Sequence, residues 1–325
     1  MPSLPRIRRP RPGTAPVARA EREPLELYAN GLTWVHLDRP HPAAIDALAA
    51  RFGWHELDVE DVLSKRQRPK IDEYPDYLFI VLHLPVFDRA AGRLNAGELD
   101  MFIGPDFVVT IPNQPLQPVE YVFEQCRANE ETREKVFARG SGYLLYRIVD
   151  DSFDYCFPML RKMGNKLERI EEEIFEGRSE DVVRDISNLK QEIVGFRKVI
   201  RPQRPVLRDL ERSKQRYLAD DLDIYFDDIV DASERIWDML ENYKEVVEAL
   251  ESTNESFISH RVNDVLRVLT AFSLVILPLT LIASVFGMNV DFPFETGVGA
   301  FWAIVASMVA VLGGLITWFR VRGWL

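Results

Sequence analysis

The sequence has few cysteines and histidines, the residues that most often form redox and zinc sites. Only two of its 325 residues are cysteine, Cys126 and Cys156, and no CxxC spacing occurs. This excludes a disulfide scaffold and favours reduced thiols in the cytosol. The five histidines show no paired metal-ligand spacing, so no catalytic zinc site is expected. Neither a nucleophile constellation nor a GxxxxGK[ST] loop is present. We therefore expect a protein that is not an enzyme and needs no cofactor.

The first 24 residues differ in charge from the rest of the chain. Overall there are 40 Lys and Arg against 51 Asp and Glu, a formal charge of −11. Residues 1–24 hold six arginines, six prolines and two glutamates, so this arm carries +4 and the remainder −15. The arm has no apolar h-region, which excludes a secretory signal. It predicts a solvated disordered segment, with contact to anionic lipid as the alternative. No nucleic-acid partner is expected.

Charged side chains are absent from two long stretches near the C-terminus. Residues 268–288 and 298–319 contain no Asp, Glu, Lys or Arg. About 20 apolar residues at 1.5 Å per residue span the roughly 30 Å hydrocarbon core. The flanks carry Arg261, Arg267, Arg320 and Arg322, and the connection carries Asp291 and Glu295. This predicts two membrane-spanning helices in the inner (plasma) membrane, in contact with lipid, with both termini cytoplasmic.

The pattern predicts an α+β cytoplasmic domain, a long helical stalk and a transmembrane hairpin. Strand-like segments lie at 32–38, 77–87 and 98–112, with a helical segment at 41–52. Helical patterns follow at 144–177, at 179–203 and from about 221 into the first span. The predicted segments are a basic arm at 1–24, an α/β domain at 25–140, a helical region and stalk at 141–262, and the hairpin at 263–325.

The last of these helices carries a seven-residue hydrophobic repeat. Two series offset by three predict an a/d seam over four heptads. The first is Ile229, Ile236, Tyr243, Leu250 and Phe257, and the second is Ala232, Met239, Val246 and Thr253. At 1.5 Å per residue the helix would be about 100 Å long, so the seam needs partners from its own chain or from neighbouring subunits.

Above the seam, one face of the helix becomes small and hydroxylated. Intervals of three and four place these residues together. They are Asn263 or Leu266, then Thr270, Ser273, Leu277, Thr280, Ser284 and Gly287. Such a face packs helices closely or lines a water-filled path between identical helices, and the pattern alone leaves both alternatives open.

The end of the first span carries a motif. The segment 286–295, FGMNVDFPFE, resembles the signature loop of the CorA family of divalent-cation channels, in which Tyr-Gly-Met-Asn precedes an acidic loop containing Met-Pro-Glu. The positions that match in spacing are Gly287, Met288, Asn289 and Glu295. Phe286 replaces the usual tyrosine, and Pro293-Phe294 replaces Met-Pro. The likeness also includes segments 54–82 and 225–231, and it covers about residues 30–325.

The resemblance implies a funnel-shaped homopentamer whose first spans line a pore for Mg²⁺, with Co²⁺ or Ni²⁺ as further substrates. Mg²⁺ is then a substrate and a cytoplasmic regulator that gates the pore. The implied ion-contacting residues are Gly287, Met288 and Asn289 at the mouth, Asp291 and Glu295 outside it, and Asn263 and Thr280 along the pore. The implied apolar gate is Leu266, Leu269 and Leu277.

A regulatory site in the soluble part follows from the same resemblance. Asp228 matches a stalk acid that, in the family, helps to bind a regulatory Mg²⁺ between subunits. Asp100 is the candidate for its partner acid. The alternative for Asp228 is an ordinary solvated acidic face.

Two other functions stay open at the level of sequence. One is a Zn²⁺ transporter of the same superfamily, either proton-coupled or not. The departure from the Met-Pro pattern at Pro293-Phe294 keeps this alternative open. The other is a two-span membrane sensor that signals through its coiled coil, although no output domain is visible.

Overall fold

The strand-like segments before residue 140 form one six-stranded sheet in the computed structural model, which describes residues 23–64, 66–88, 93–176, 179–212, 222–288 and 297–323. The strands are β1 (Leu25–Ala29), β2 (Leu32–His36), β3 (Lys70–Glu73), β4 (Leu78–Asp88), β5 (Arg93–Ile103) and β6 (Phe107–Pro112). Their order is β1-β2-β6-β5-β4-β3. Only the β2–β6 pair in this sheet is parallel.

The predicted segment 98–112 is two strands rather than one. A tight turn reverses the chain after β5, and the amide of Gly104 donates to the carbonyl of Phe107 at 2.9 Å. Gly104, Pro105 and Asp106 are residues that favour turns. The apolar run therefore continues on the neighbouring strand of the sheet instead of along the same one.

One face of the sheet packs against the helices α1 (Pro42–Phe52) and α2 (Glu56–Leu63). Trp54, in the connection between them, stacks on Phe102 of β5 with ring centroids 3.6 Å apart. Aromatic stacking of this kind adds to the burial of apolar area. The hydrophobic core of the α/β domain lies here.

The remaining helices follow β6 without further strands among the described residues. They are α3 (Gln117–Ala128), α4 (Glu130–Phe137), α5 (Gly140–Asp154), α6 (Cys156–Phe175), α7 (Ser179–Ile200), α8 (Gln203–Arg212), α9 (Asp223–Phe286) and α10 (Val298–Val321). The helix predicted over 144–177 is interrupted at Tyr155, because Pro158 lacks an amide and is tolerated only in the first turn of a helix. Pro202 ends α7 in the same way.

The chain divides into two compact units. One comprises Met1–Lys166 and Leu189–Glu245, and the other comprises Leu167–Asn188 and Val246–Leu325. In the first unit, the start of α9 packs on α7 and α8 through ion pairs. Glu234 pairs with Arg204 and with Arg208, the latter at 2.5 Å, and Arg197 pairs with Glu241 at 2.8 Å. This part of the stalk therefore finds its partners within its own chain.

The buried face of α9 is rotated from the predicted seam. The first series is buried at Ile229, Ile236 and Leu250, as predicted. The second predicted series is buried at Ala232, as predicted, but is wrong by one residue after it, because Leu240 and Val247 are buried while Met239 and Val246 are only partly covered. Both neighbouring positions are apolar, so the repeat does not decide between them, and tertiary packing does.

The second unit contains the two apolar helical stretches. The upper part of α9 and all of α10 are long and apolar enough to cross a membrane. Only 6% of the most apolar stretch of α9 and 0% of that of α10 are buried within the chain. Their surfaces are therefore uncovered by this chain itself, which is unlike the core helix of a soluble protein.

One acid lies in the core of the α/β domain. Lys70, Val81 and Asp100 lie opposite one another on β3, β4 and β5, so their side chains share the face that α1 and α2 cover. Asp100 is 2% exposed, and its Oδ1 has no hydrogen-bond partner among the described residues. Burial raises the pKa of Asp100 well above its ordinary value, the Glu98 and Asp61 carboxylates add to the shift, and Lys70 opposes it.

The burial of Asp100 corrects the prediction that this acid meets Asp228 across a subunit boundary. A side chain enclosed by its own sheet and helices cannot reach a second copy of the chain. Asp100 is instead a core carboxyl that favours its neutral, protonated form.

We expect Asp100→Asn to stabilise the soluble domain at pH 8 and to have little effect at pH 4. The fold retains a proton that the unfolded chain releases above its pKa of about 3.9, so the acid costs stability as pH rises. The unfolding temperature of the full chain in detergent should rise by about 2–4 °C at pH 8, which corresponds to about 1 kcal/mol of stability. Asp106→Asn, at an exposed turn, is the control. A lower unfolding temperature for Asp100→Asn at pH 8 would contradict the argument.

Candidate functional site

The predicted polar residues of the first span lie on an uncovered part of α9. Asn263 and Thr280 are exposed within the chain, as are Thr270, Ser273 and Ser284. Thr280 Oγ1 donates to the Ile276 carbonyl at 2.7 Å, and Ser273 Oγ donates to the Leu269 carbonyl at 2.9 Å. Each hydroxyl proton is thus satisfied by the helix backbone, while the oxygen keeps a free lone pair. Such oxygens can accept hydrogen bonds from water on this face.

The three predicted gate leucines are exposed on the same helix. Leu266, Leu269 and Leu277 are 52%, 61% and 67% exposed. No described part of the chain covers them, and large exposed apolar side chains need lipid or other helices as neighbours. Pro278 follows Leu277 and cannot donate to the carbonyl of Leu274.

The helix ends at the first two residues of the predicted mouth. The amide of Gly287 donates to the Ala283 carbonyl at 2.9 Å, and that of Met288 to the Val285 carbonyl at 3.3 Å. A Cβ on Gly287 would lie 2.9 Å from the carbonyl oxygen of Ala283, closer than a carbon atom tolerates. A glycine is therefore needed where the span turns. Asn289, Asp291 and Glu295 lie outside the described residues, and their roles stay predictions.

Asp228 is exposed on α9, one turn beyond a cluster of tyrosines. The Tyr225 ring packs 4.8 Å from Tyr146 of α5, and its hydroxyl accepts a hydrogen bond from Arg139 at 3.0 Å. Burial raises the pKa of Tyr146, and the carboxylates of Asp150 and then Asp228 add to the shift. The base of α9 is thus fixed against α5, with the Asp228 carboxylate next to that contact.

A second acidic cluster lies between α2 and β3. Carboxylate oxygens of Asp58, Asp61 and Asp72 lie within 4.8 Å of one another, and we call these three residues the aspartate trio. Lys70 Nζ donates to Asp61 Oδ2 at 2.6 Å and to Asp72 Oδ2 at 2.5 Å. Burial opposes the charge on Lys70, but these hydrogen bonds outweigh it and raise the pKa of Lys70.

Asp58 is the most enclosed member of the aspartate trio. The hydroxyls of Tyr74 and Tyr77 donate to its two oxygens at 3.0 and 2.6 Å. Burial raises the pKa of Asp58, although these hydroxyls and Lys70 oppose the shift. Three carboxylates at this spacing offer the hard oxygen ligands that Mg²⁺ prefers. A cation would enter only by displacing the Lys70 ammonium.

The aspartate trio is not among the sites predicted from the sequence. Asp58 and Asp61 are three residues apart, which places both on one face of α2, and positions 70 and 72 share one face of β3. These two spacings are readable from the sequence. The contact between helix and strand is set by the tertiary fold, and no local pattern predicts it.

Comparison with known proteins matches this architecture. Residues 29–320 match the family described as CorA-like Mg²⁺ transporter protein. The chain is 28% identical over 295 residues to the cobalt/magnesium transport protein CorA of Thermotoga maritima, covering 90% of this chain and 83% of that protein.

Solved structures share the fold at low sequence identity. The complete CorA magnesium transporter of Methanocaldococcus jannaschii superposes with a TM-score of 0.81 at 22% identity, over 93% of this chain and 94% of that one. The cytoplasmic domain of ZntB from Vibrio parahaemolyticus gives 0.61 at 16% identity, over 70% and 88%. The first of these likenesses includes the soluble domain, the long helix and both apolar helices. The chain therefore belongs to the family of CorA-like Mg²⁺ transporter proteins, which are divalent-cation transporters of the membrane and not enzymes.

Proposed function

We propose that this chain conducts Mg²⁺ into the cytoplasm through a homopentameric pore lined by α9, with both termini on the cytoplasmic side. The observation that carries the proposal is the uncovered, hydroxyl-bearing face of α9, which runs to the glycine of the Gly-Met-Asn motif. An α-helix that presents small hydroxylated residues on one face suits a water-filled path between identical helices. The Mg²⁺ relatives support the choice of cargo.

The membrane potential is a sufficient driving force. An inside-negative potential of 100 mV contributes about 2.3 kcal/mol per elementary charge, hence about 4.6 kcal/mol for a divalent cation. Influx along this potential requires no nucleotide hydrolysis, and the sequence has no GxxxxGK[ST] phosphate-binding loop. Influx through a pore follows the electrical gradient.

Selection at the mouth would rest on neutral oxygen. Mg²⁺ gives up its water shell reluctantly. A ring of Asn289 amides, with the backbone of Gly287 and Met288, can hydrogen-bond that shell without removing it. A ring of carboxylates at this point would bind the ion too tightly for rapid release. Asp291 and Glu295 would instead raise the local cation concentration before entry.

The leucines would close the pore when the helices move together. Leu266, Leu269 and Leu277 are apolar and exposed, and narrow apolar constrictions in a channel exclude water and therefore ions. Asn263 and Thr280 would offer polar contacts on either side of them.

Cytoplasmic Mg²⁺ would act on the acids of the soluble domain and favour the closed state. Asp228 is exposed beside the α5–α9 contact. The carboxylates of the aspartate trio lie close enough together to hold a metal ion. A bound cation cancels repulsion between acidic surfaces, and a state with that site formed is favoured as Mg²⁺ rises. This gives negative feedback on influx.

The second candidate function is Zn²⁺ transport. The observation in its favour is Pro293-Phe294, where the loop departs from the Met-Pro pattern that the family resemblance predicts. A proton-coupled Zn²⁺ transporter would respond to a pH gradient, whereas a potential-driven Mg²⁺ channel would not.

Flux into liposomes containing the purified protein separates these functions. We expect Mg²⁺ entry driven by an inside-negative potential, unaffected by a pH gradient, and reduced at least about 10-fold in Asn289→Ala, the effect of about 1.4 kcal/mol on the barrier. Ni²⁺, Co²⁺ and Zn²⁺ are compared in the same assay. Undiminished Mg²⁺ flux in the variant would remove the proposed filter. Flux of Zn²⁺ alone, driven by protons, would favour the second function.

We expect Gly287→Ala to reduce Mg²⁺ flux by about 10-fold or more, because the added methyl group displaces the turn that begins the mouth. Gly299→Ala is the matched control, since a Cβ there meets no atom within 4 Å. Both variants are compared for flux at equal amounts of folded protein. Equal flux in the two variants would contradict a steric requirement at Gly287.

We expect Asp228→Asn to raise the cytoplasmic Mg²⁺ concentration needed for half-inhibition at least about 5-fold, the lower range of allosteric coupling. Current without cytoplasmic Mg²⁺ should be unchanged. Asp227→Asn, one position along the same exposed helix surface, controls for the loss of a negative charge. Patch recordings with Mg²⁺ added to the cytoplasmic face measure the effect. An identical shift in both variants would mean general surface charge rather than a site.

A further inference from the structure

A cavity of about 950 Å³ opens in the α/β domain, away from the acids discussed above. It lies where β2 and β6, the parallel pair, end at their carboxyl ends, and the start of β1, the β2–α1 connection and α3 form its walls. Crevices at the carboxyl ends of parallel strands are the usual binding places of α/β sheets. The transport function proposed above makes no use of this cavity.

The floor of the cavity is uncharged. His36 is 4% exposed, and its ring lies 5.0 Å from that of Phe123. Its Nδ1 is 2.8 Å from Thr110 Oγ1, which also accepts a hydrogen bond from Trp34 Nε1 at 3.1 Å. Burial lowers the pKa of His36 to about 4, although Asp38 opposes the shift. The imidazole is therefore neutral near pH 7 and does not repel a cation.

The rim of the cavity is acidic. Four carboxylates and two guanidinium groups line it, from Glu23, Asp38, Glu120, Glu124, Arg39 and Arg127. Arg127 is already paired with Glu124 at 2.8 Å. Glu23 and Glu120 form no ion pair within the described part of the chain. The rim therefore has an excess of negative charge that is not neutralised by its own walls.

The chain enters the cavity at its rim. Glu23 and Pro24 are the first described residues, and both line the cavity. The 22 residues before them contain six arginines and one acid. Arg19 lies four residues before Glu23, a distance of at most about 14 Å along an extended chain, and Arg22 lies next to it. Basic side chains are thus tethered within reach of unpaired acids.

We propose that this cavity is the docking site of the chain's own basic arm, with Arg19 and Arg22 paired to the acids of the rim, Glu120 foremost. Tethering a segment this close to its site gives it an effective concentration in the millimolar range, so weak individual ion pairs suffice. The pairing is electrostatic and weakens as salt screens it. The arm is then an intramolecular ligand of the soluble domain.

Trypsin digestion of the full-length protein in detergent tests this docking. The bonds after Arg8 and Arg19 are both followed by residues other than proline. At low ionic strength we expect cleavage after Arg19 to be about 10-fold or more slower than after Arg8, because docking must open first. The difference should shrink at high salt. Equal rates at the two bonds in the parent protein would overturn the proposal.

Charge reversal identifies the acid involved. Glu120→Lys should bring cleavage after Arg19 close to the rate after Arg8, and adding Arg22→Glu should restore protection by a swapped pair. Glu134→Lys is the matched control. Glu134 is exposed on α4, and Asn30 Nδ2 donates to its carbonyl at 3.1 Å, at the end of β1 opposite the cavity. An equal effect of Glu120→Lys and Glu134→Lys would contradict a specific site.

Anionic lipid is the competing partner of the arm. The same digestion is repeated with vesicles of phosphatidylcholine alone and with added phosphatidylserine. Protection that is already present in detergent and unchanged by either vesicle supports docking in the cavity. Protection that is absent in detergent and appears only with phosphatidylserine would assign the arm to the membrane surface and overturn the proposal.

Discussion

An apolar helix surface that its own chain leaves uncovered is the constraint on which this molecule depends. Between residues 255 and 286 of α9, Ala271 is the only buried residue. Exposed apolar area of this extent must be removed from water, and in the oligomer proposed above lipid and copies of the same helix would be its neighbours. The hydroxyl-bearing side of that helix is poorly suited to lipid, so it is the side that copies of the chain would enclose. Family membership agrees with a transport role and gives no support to the two-span sensor.

The soluble domain treats its buried polar groups in two ways. Asp100 and His36 favour their uncharged forms, since burial is the largest cause of the pKa shift of each side chain. The aspartate trio instead lies beside a cation, because the Lys70 ammonium donates to Asp61 and Asp72. The side chains of Asp61, Asp72 and Lys70 are 25–38% exposed and can be reached by solvent and ions, whereas Asp58 is buried.

Much of the architecture follows from local sequence. The uncharged stretches, the strand segments and the start of the long helix are each set by composition over ten to twenty residues, and the structure contains them all. The errors concern the ends of elements, as in the segments 98–112 and 144–177, and choices between neighbouring positions. The buried series includes Leu240 rather than Met239; both residues are apolar, so only tertiary packing distinguishes them. The prediction of Asp100 as the partner acid of Asp228 failed because its burial depends on the packing of α1 and α2 against the sheet, which no local pattern shows.

Lys70 makes the aspartate trio a site with a built-in competitor. The ammonium is covalently attached and already holds two of the three carboxylates, at 2.5 and 2.6 Å. A divalent ion from solution must therefore displace the Lys70 ammonium, whose local concentration is fixed by the fold. The apparent affinity of the aspartate trio for a divalent ion would therefore depend on this competition with Lys70, and not only on the strength of the oxygen ligands. A weak response to free ions is then a property of the lysine and not a defect of the acids.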